Sequence, residues 1–145
     1  NIYNPRNKEI KCIVEGKARG NLIGGNLSII CSSLGTENEI DTRNKILFIE
    51  EIGEEPYKVD RMLLQLVQAG KINDCAGIIF GYFSSCEPSN PNQSLTISEV
   101  IKELIKPCGK PIIAGVACGH SLPSLTLPMG VEVVIDSKNK NIKII

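Results

Sequence analysis

The chain alternates apolar blocks with polar stretches, and the period of each block predicts an element. The central block is Lys45–Gly70, KILFIEEIGEEPYKVDRMLLQLVQAG. Ile46-Leu47-Phe48-Ile49 is an uninterrupted apolar run rich in β-branched and aromatic residues, the pattern of a strand buried on both faces. It ends at Glu50 and Glu51, with Glu54 and Glu55 just past Gly53. Pro56 suits the first position of a helix, and the acids before it suit the positive end of the helix dipole. Val59, Met62, Leu63, Leu66 and Val67 recur at helical spacing as far as Gly70, where a left-handed C-cap falls. A carboxylate, Glu50, thus stands at the carboxyl end of a buried strand, the side on which open α/β sheets bind ligands. The plainer role for the same acids is capping and solvated surface.

The remaining blocks follow in order. Residues 1–8 are polar, carry Pro5, and read as a linker or tail. Ile10, Cys12 and Val14 alternate as a strand, and Gly16–Gly20 reads as a turn. Asn21-Leu22-Ile23 leads to Gly24-Gly25-Asn26, with Asn26 as N-cap of a helix whose face is Leu27, Ile30, Cys31 and Leu34 and whose end is Gly35. The glycine pair either presents backbone N–H groups to a ligand or simply makes a tight turn. Residues 36–44 form a polar loop. Gly77–Phe83 is a second buried strand whose glycines suggest close backbone approach. A loop over Ser84–Ser94 follows, placed to border a pocket. Thr96-x-x-Glu99 is a capping box, with Leu95 set as a staple against Val100. Ile97, Val100, Ile101, Leu104 and Ile105 form that helix's apolar face, and Pro107 stops it. Pro111–Val116 is a third apolar run, and it delivers Gly119-His120-Ser121. Val131–Ile135 and Ile142–Ile145 form a hairpin around Ser137–Lys140. Strands joined by helices or long loops pair in parallel, so Glu50, Gly81 and His120 should gather at one sheet edge.

With 145 residues and zero formal net charge, the chain makes one domain and lacks the basic surface a nucleic-acid partner needs. No apolar run reaches membrane-spanning length, so no membrane partner is expected. Six cysteines without a C-x-x-C pair, and a single histidine, argue against a structural zinc site. The cysteines read as reduced, mostly buried thiols of a cytoplasmic protein, and no metal or cofactor is expected. Glu50 and His120 together would make two-thirds of a nucleophilic triad: a general base and the carboxylate that fixes its tautomer. The nucleophile is missing. There is no G-x-S-x-G elbow. Ser121 adjoins His120 and should point away from it, while Ser84 and Ser85 lack a sharp nucleophile turn.

An ordered set of short motifs carries a resemblance. It comprises Gly24-Gly25-Asn26-Leu27, Leu34-Gly35-Thr36, Ile46–Glu51, Glu54 with Pro56-Tyr57, Asp60–Leu63, Gln65-Leu66 with Ala69-Gly70, Gly119-His120, and Leu125–Pro128 followed by Gly130. From about Gly20 to the end, the chain resembles the C-terminal domain of the LD-carboxypeptidases, the serine peptidase family that also holds the microcin C immunity proteins. The resemblance implies a swivelling β/β/α-type domain of the α/β class, with a mixed, partly parallel sheet and three main helices. It implies that residues 1–8 are a linker or tail from an N-terminal domain and that residues 9–145 are the Glu/His-bearing domain. The catalytic residues carried over are Glu50 and His120. Weaker substrate-binding candidates are Gly25, Asn26 and Glu54, the last as a capping or supporting residue. Asp60 and Arg61 match the family pattern and read as an ion pair or cap. The serine would lie on the N-terminal domain, leaving this chain inactive alone. The full-length enzyme would be a cytoplasmic homodimer acting on a peptide or peptidoglycan fragment. Its target would be the L,D-amide to the terminal D-Ala of a murein tetrapeptide, or the peptide–nucleotide amide of a microcin-type antibiotic. The run Phe48–Glu54 leans toward the immunity branch. The alternative is a free-standing binding or dimerisation module that keeps the fold without the chemistry.

Overall fold

The computed structural model describes residues 1–145. Its strands are β1 (Lys11–Val14), β2 (Lys17–Asn26), β3 (Ile46–Ile52), β4 (Gly77–Ser84), β5 (Ile112–Ala114), β6 (Glu132–Asp136) and β7 (Asn141–Ile144). Its helices are α1 (Leu27–Ser32), α2 (Pro56–Gln68), the single turn α3 (Lys71–Asp74) and α4, which starts at Ile97. The strands form one mixed sheet in the order β1-β5-β4-β3-β2-β6-β7. The four central strands, β2 to β5, are parallel, and β1, β6 and β7 add antiparallel edges. Parallel pairing requires crossovers, and α1, α2 and α4 provide them.

Every residue of β3 but the last is buried, because both faces of the sheet are covered. Leu47 and Ile49 join Ile78, Phe80 and Ile112 beneath the helices, where Leu27, Val59, Leu63, Leu66 and Ile101 meet them. Ile46 and Phe48 face the other way and pack with Leu22, Ile79, Ile113, Val133, Ile135 and Ile142. Alternation along a strand therefore sends Glu50 to one face and Glu51 to the other.

Two expectations need correction. The Gly16–Gly20 turn is instead the start of β2, paired antiparallel with β6. Lys17 and Arg19 point to solvent and bridge Asp136 and Glu132 at 3.0 and 2.7 Å. Gly20 is needed because a Cβ there would lie 2.4 Å from the Asn44 carbonyl oxygen. Glycines and charges that read as a turn thus mark a strand with one solvated face. Pro107 does not follow α4 but lies within its last turn. The helix opens into a wider π turn over Ile101–Ile105 and closes as a 3-10 turn over Lys106–Cys108, as suits a residue with no N–H to donate. Residues 1–8 dock on the sheet: Ile2 bridges Ile142, and the Asn4 side chain bonds both the Gly115 carbonyl and the Ala117 N–H. The capping box forms as predicted, and Leu95 beside it is 37% exposed.

Candidate functional site

The carboxyl ends of β2, β3, β4 and β5 lie on one edge of the sheet, and the chemistry gathers there. Glu50 is the third-last residue of β3 and only 5% exposed, while Asn26, the last residue of β2, is its cross-strand partner. His120 arrives from the segment after β5. That segment stays beside β4, where the Tyr82 N–H donates to the Cys118 carbonyl at 2.9 Å. Two glycines permit the approach. A Cβ on Gly81 would lie 2.5 Å from that carbonyl oxygen. Gly119, at φ +133°, would bring a Cβ within 2.9 Å of Glu50 Oε2. A larger residue at 119 would crowd the Glu50 side chain and Tyr82.

His120 Nδ1 lies 2.7 Å from Glu50 Oε2, across 70 residues of sequence. A carboxylate only accepts, so Nδ1 carries the proton and the neutral ring has its lone pair on Nε2. Nε2 has no hydrogen-bond partner within the chain, and the side chain is 48% exposed. The pair thus presents an oriented base to the exterior. The neighbouring thiol of Cys118 is pushed up by burial and by the Glu50 carboxylate. The apolar hollow of about 220 Å³ between the sheet and α4, lined by Ile13, Phe80, Phe83, Ile97 and Ile101 among others, is a separate feature that includes neither Glu50 nor His120.

Glu51 does different work on the opposite face. Its Oε2 accepts from the Ser28 N–H at 2.8 Å and the Ser28 hydroxyl at 2.6 Å. Its Oε1 accepts from Asn26 Nδ2 at 2.8 Å and its neighbour's N–H, Ile52, at 2.9 Å. Burial pushes this carboxyl up, but the bonds from Ser28, Ile52 and Asn26 outweigh it and hold the group below the usual carboxylate value. Glu51 therefore clamps the start of α1 to the end of β3.

The weaker candidates separate. Asn26 caps α1, its Oδ1 accepting the Ile29 N–H at 3.2 Å, and its amide holds Glu51. Gly25 has open space where a side chain would be and lies level with Ile49. Glu54, just ahead of α2, pairs with Lys58 on its first turn at 3.3 Å. Asp60 and Arg61 form no ion pair and cap nothing; the N-cap position belongs to Glu55, whose carboxylate accepts the Ser89 N–H instead. Ser84 is the last residue of β4 rather than a loop residue, and its hydroxyl meets that of Ser121 at 2.5 Å. Sequence reasoning missed this pair, the Ser28–Glu51 clamp and the Tyr82 hydroxyl, which donates to the Pro123 carbonyl at 2.8 Å. Ser28 left one signal, a hydroxyl two residues past an N-cap and ahead of a pair of acids; the others left none.

The sequence and the fold have counterparts in known proteins. Residues 19–135 match the family described as the LD-carboxypeptidase C-terminal domain. A probable murein peptide carboxypeptidase of Bacillus subtilis (strain 168) is 46% identical over 128 residues, covering 88% of this chain and 40% of that protein. The microcin C7 self-immunity protein MccF of Escherichia coli is 34% identical over 134 residues, covering 89% of this chain and 37% of MccF. Among solved structures, MccF in complex with aspartyl sulfamoyl adenosine superposes with a TM-score of 0.83 at 31% identity, over 94% of this chain and 41% of that one. The muramoyltetrapeptide carboxypeptidase from Oxalobacter formigenes gives 0.80 at 30% identity, over 94% of this chain and 49% of that one. The chain thus spans about 40% of the length of the curated relatives it matches. It belongs to the LD-carboxypeptidase C-terminal domain family.

Proposed function

We propose that this chain supplies the base and its orienting carboxylate to a serine-type carboxypeptidase. The observation that carries the reading is the 2.7 Å bond from His120 Nδ1 to buried Glu50, with Nε2 left free toward the exterior. In the proposed reaction, Nε2 of His120 takes the proton of a serine hydroxyl as its oxygen attacks the substrate carbonyl. The imidazolium, stabilised by Glu50, then passes that proton to the departing amine. Water, activated by the same nitrogen, releases the acyl group. In this reading the serine lies outside this chain's residues, and the chain alone would then be inactive. Gly25 and Asn26, level with Ile49 and Glu50, would border the substrate on the β2 side.

The substrate we favour is a murein peptide with a terminal D-alanine, cleaved in the cytoplasm, because the relative at 46% identity is named for murein peptides. The peptide–nucleotide amide of microcin-type antibiotics is the second reading, supported by the superposition on MccF holding aspartyl sulfamoyl adenosine. No helix here is long and apolar enough to cross a membrane. The test is release of D-alanine from murein tetrapeptide by the full-length gene product and by this chain alone. The proposal expects release by the first and none by the second. A full-length product that cleaves neither substrate overturns it.

A further inference from the structure

His120 is half exposed, so packing does little to hold its ring; the Glu50 bond orients it, and the backbone beneath it sets where that bond can form. That backbone is tied at Ser121. Its Oγ lies 2.5 Å from Ser84 Oγ, one hydroxyl donating to the other, 37 residues apart in sequence. Ser84 is committed on its other side as well. Its carbonyl accepts the Gly53 N–H at 2.8 Å, immediately past the end of β3. The contacts therefore close a circuit: Glu50 on β3, along the chain to Gly53, across to Ser84, across to Ser121, back to His120, and from Nδ1 to Glu50 again. Ser85 follows at φ +52°, so the chain turns away sharply and leaves the Ser84 hydroxyl at the end of the strand. The Tyr82 hydroxyl on the Pro123 carbonyl and the Leu125 N–H on the Ala117 carbonyl fasten the rest of the loop.

We propose that the Ser84–Ser121 hydroxyl pair is a latch that positions His120 on Glu50. Both serines are positioning residues, acting through the histidine backbone. The kinetic half of the claim rests on the hydrolase reading; the structural half does not.

The test uses Ser84→Ala, Ser121→Ala and Ser84→Thr, the last keeping a hydroxyl. His120 is the only histidine of the chain, so its ring gives one set of imidazole NMR signals. In the parent, the Nδ1 proton bonded to Glu50 should be slow to exchange and far downfield. Both alanine variants should broaden or lose it, and Ser84→Thr should restore it. In the full-length protein, each alanine variant should lose about tenfold in kcat with KM within about twofold, the size of one lost hydrogen bond. If the Nδ1 signal responds but the full-length parent cleaves neither substrate, the latch stands and the hydrolase reading falls. If the parent is active and the alanine variants match it in kcat and in the Nδ1 signal, the latch is overturned and the hydrolase reading stands. A lowered melting temperature with an unchanged Nδ1 signal also overturns it, because the pair would then be structural only.

Discussion

Glu50 and Glu51 are adjacent and chemically identical, yet their substitutions should fail in opposite ways. Glu51 is 2% exposed and accepts four hydrogen bonds from three residues. Glu51→Ala leaves the Ser28 and Ile52 N–H groups and the Asn26 amide without their acceptor in a buried setting. Bonds to a charged acceptor contribute about 1.5–3 kcal/mol each, but they share one carboxylate and do not add. Stranding one side of such a network typically costs about 3–5 kcal/mol. For a domain of this size that lowers the melting temperature by at least about 10 °C. Glu51→Gln keeps one acceptor oxygen but turns an amide NH2 toward two donors, so about 2–3 kcal/mol is expected. Glu50→Gln should stay within about 1 kcal/mol of the parent, since the glutamine oxygen still accepts the His120 proton. The assay is urea unfolding followed by circular dichroism, with the slope checked for two-state behaviour. The pH dependence supplies a second readout. Glu51 titrates below its ordinary value of 4.5 in the folded chain. A lowered folded pKa means its stabilisation is complete above about pH 4.5 and is lost as pH falls through the lower folded value. The gap between the parent and Glu51→Gln should therefore be flat from pH 7 to 5 and close below pH 4.5. A Glu51→Ala protein within 0.5 kcal/mol of the parent, or a gap that widens in acid, would refute the clamp.

Other outcomes follow from single contacts. Thr96→Ala removes a capping box in which the Thr96 N–H and hydroxyl both donate to Glu99; it should cost about 1 kcal/mol by thermal unfolding and leave turnover of the full-length protein unchanged. Gly119→Ala forces a side chain into a φ of +133° and against Glu50; a loss of about 2–4 kcal/mol, together with loss of the downfield His120 proton, is expected. Burial pushes the Cys75 thiol up to about 12 and the Cys31 thiol to about 11. Neither should react with a thiol reagent at pH 8 until the chain is unfolded, which mass spectrometry of the labelled protein will read.

Much of the fold was legible because local signals and burial agree. The apolar run at Ile46–Ile49, the helical period after Pro56, the Thr96–Glu99 box and the terminal hairpin each read correctly. The parallel order of β3, β4 and β5 followed from the connections between them, and that order puts Glu50 and His120 on the same edge. The start of β2 did not read as a strand, because its charges belong to a solvated face and its glycine to a close crossing with Asn44. The π turn before Pro107 depends on how one helix accommodates a missing donor, which periodicity does not encode. The finer parts of the site were out of reach for another reason. Ser84 with Ser121, and Ser28 with Glu51, are pairs made by tertiary register. A serine hydroxyl looks the same in a sequence whether it meets solvent or a partner. Glu50 and Glu51 could be told apart only once alternation gave each a face and each face a neighbour.

The most direct test of the central claim is a double-mutant cycle on the full-length protein: kcat/KM for D-alanine release by the parent, Glu50→Gln, His120→Ala and the double variant, all checked for an unchanged fold. Two residues that act as one unit should each lose roughly three to four orders of magnitude alone and little more together. Losses that multiply, or a single variant that keeps parental turnover, would contradict the reading of Glu50 and His120 as one catalytic pair.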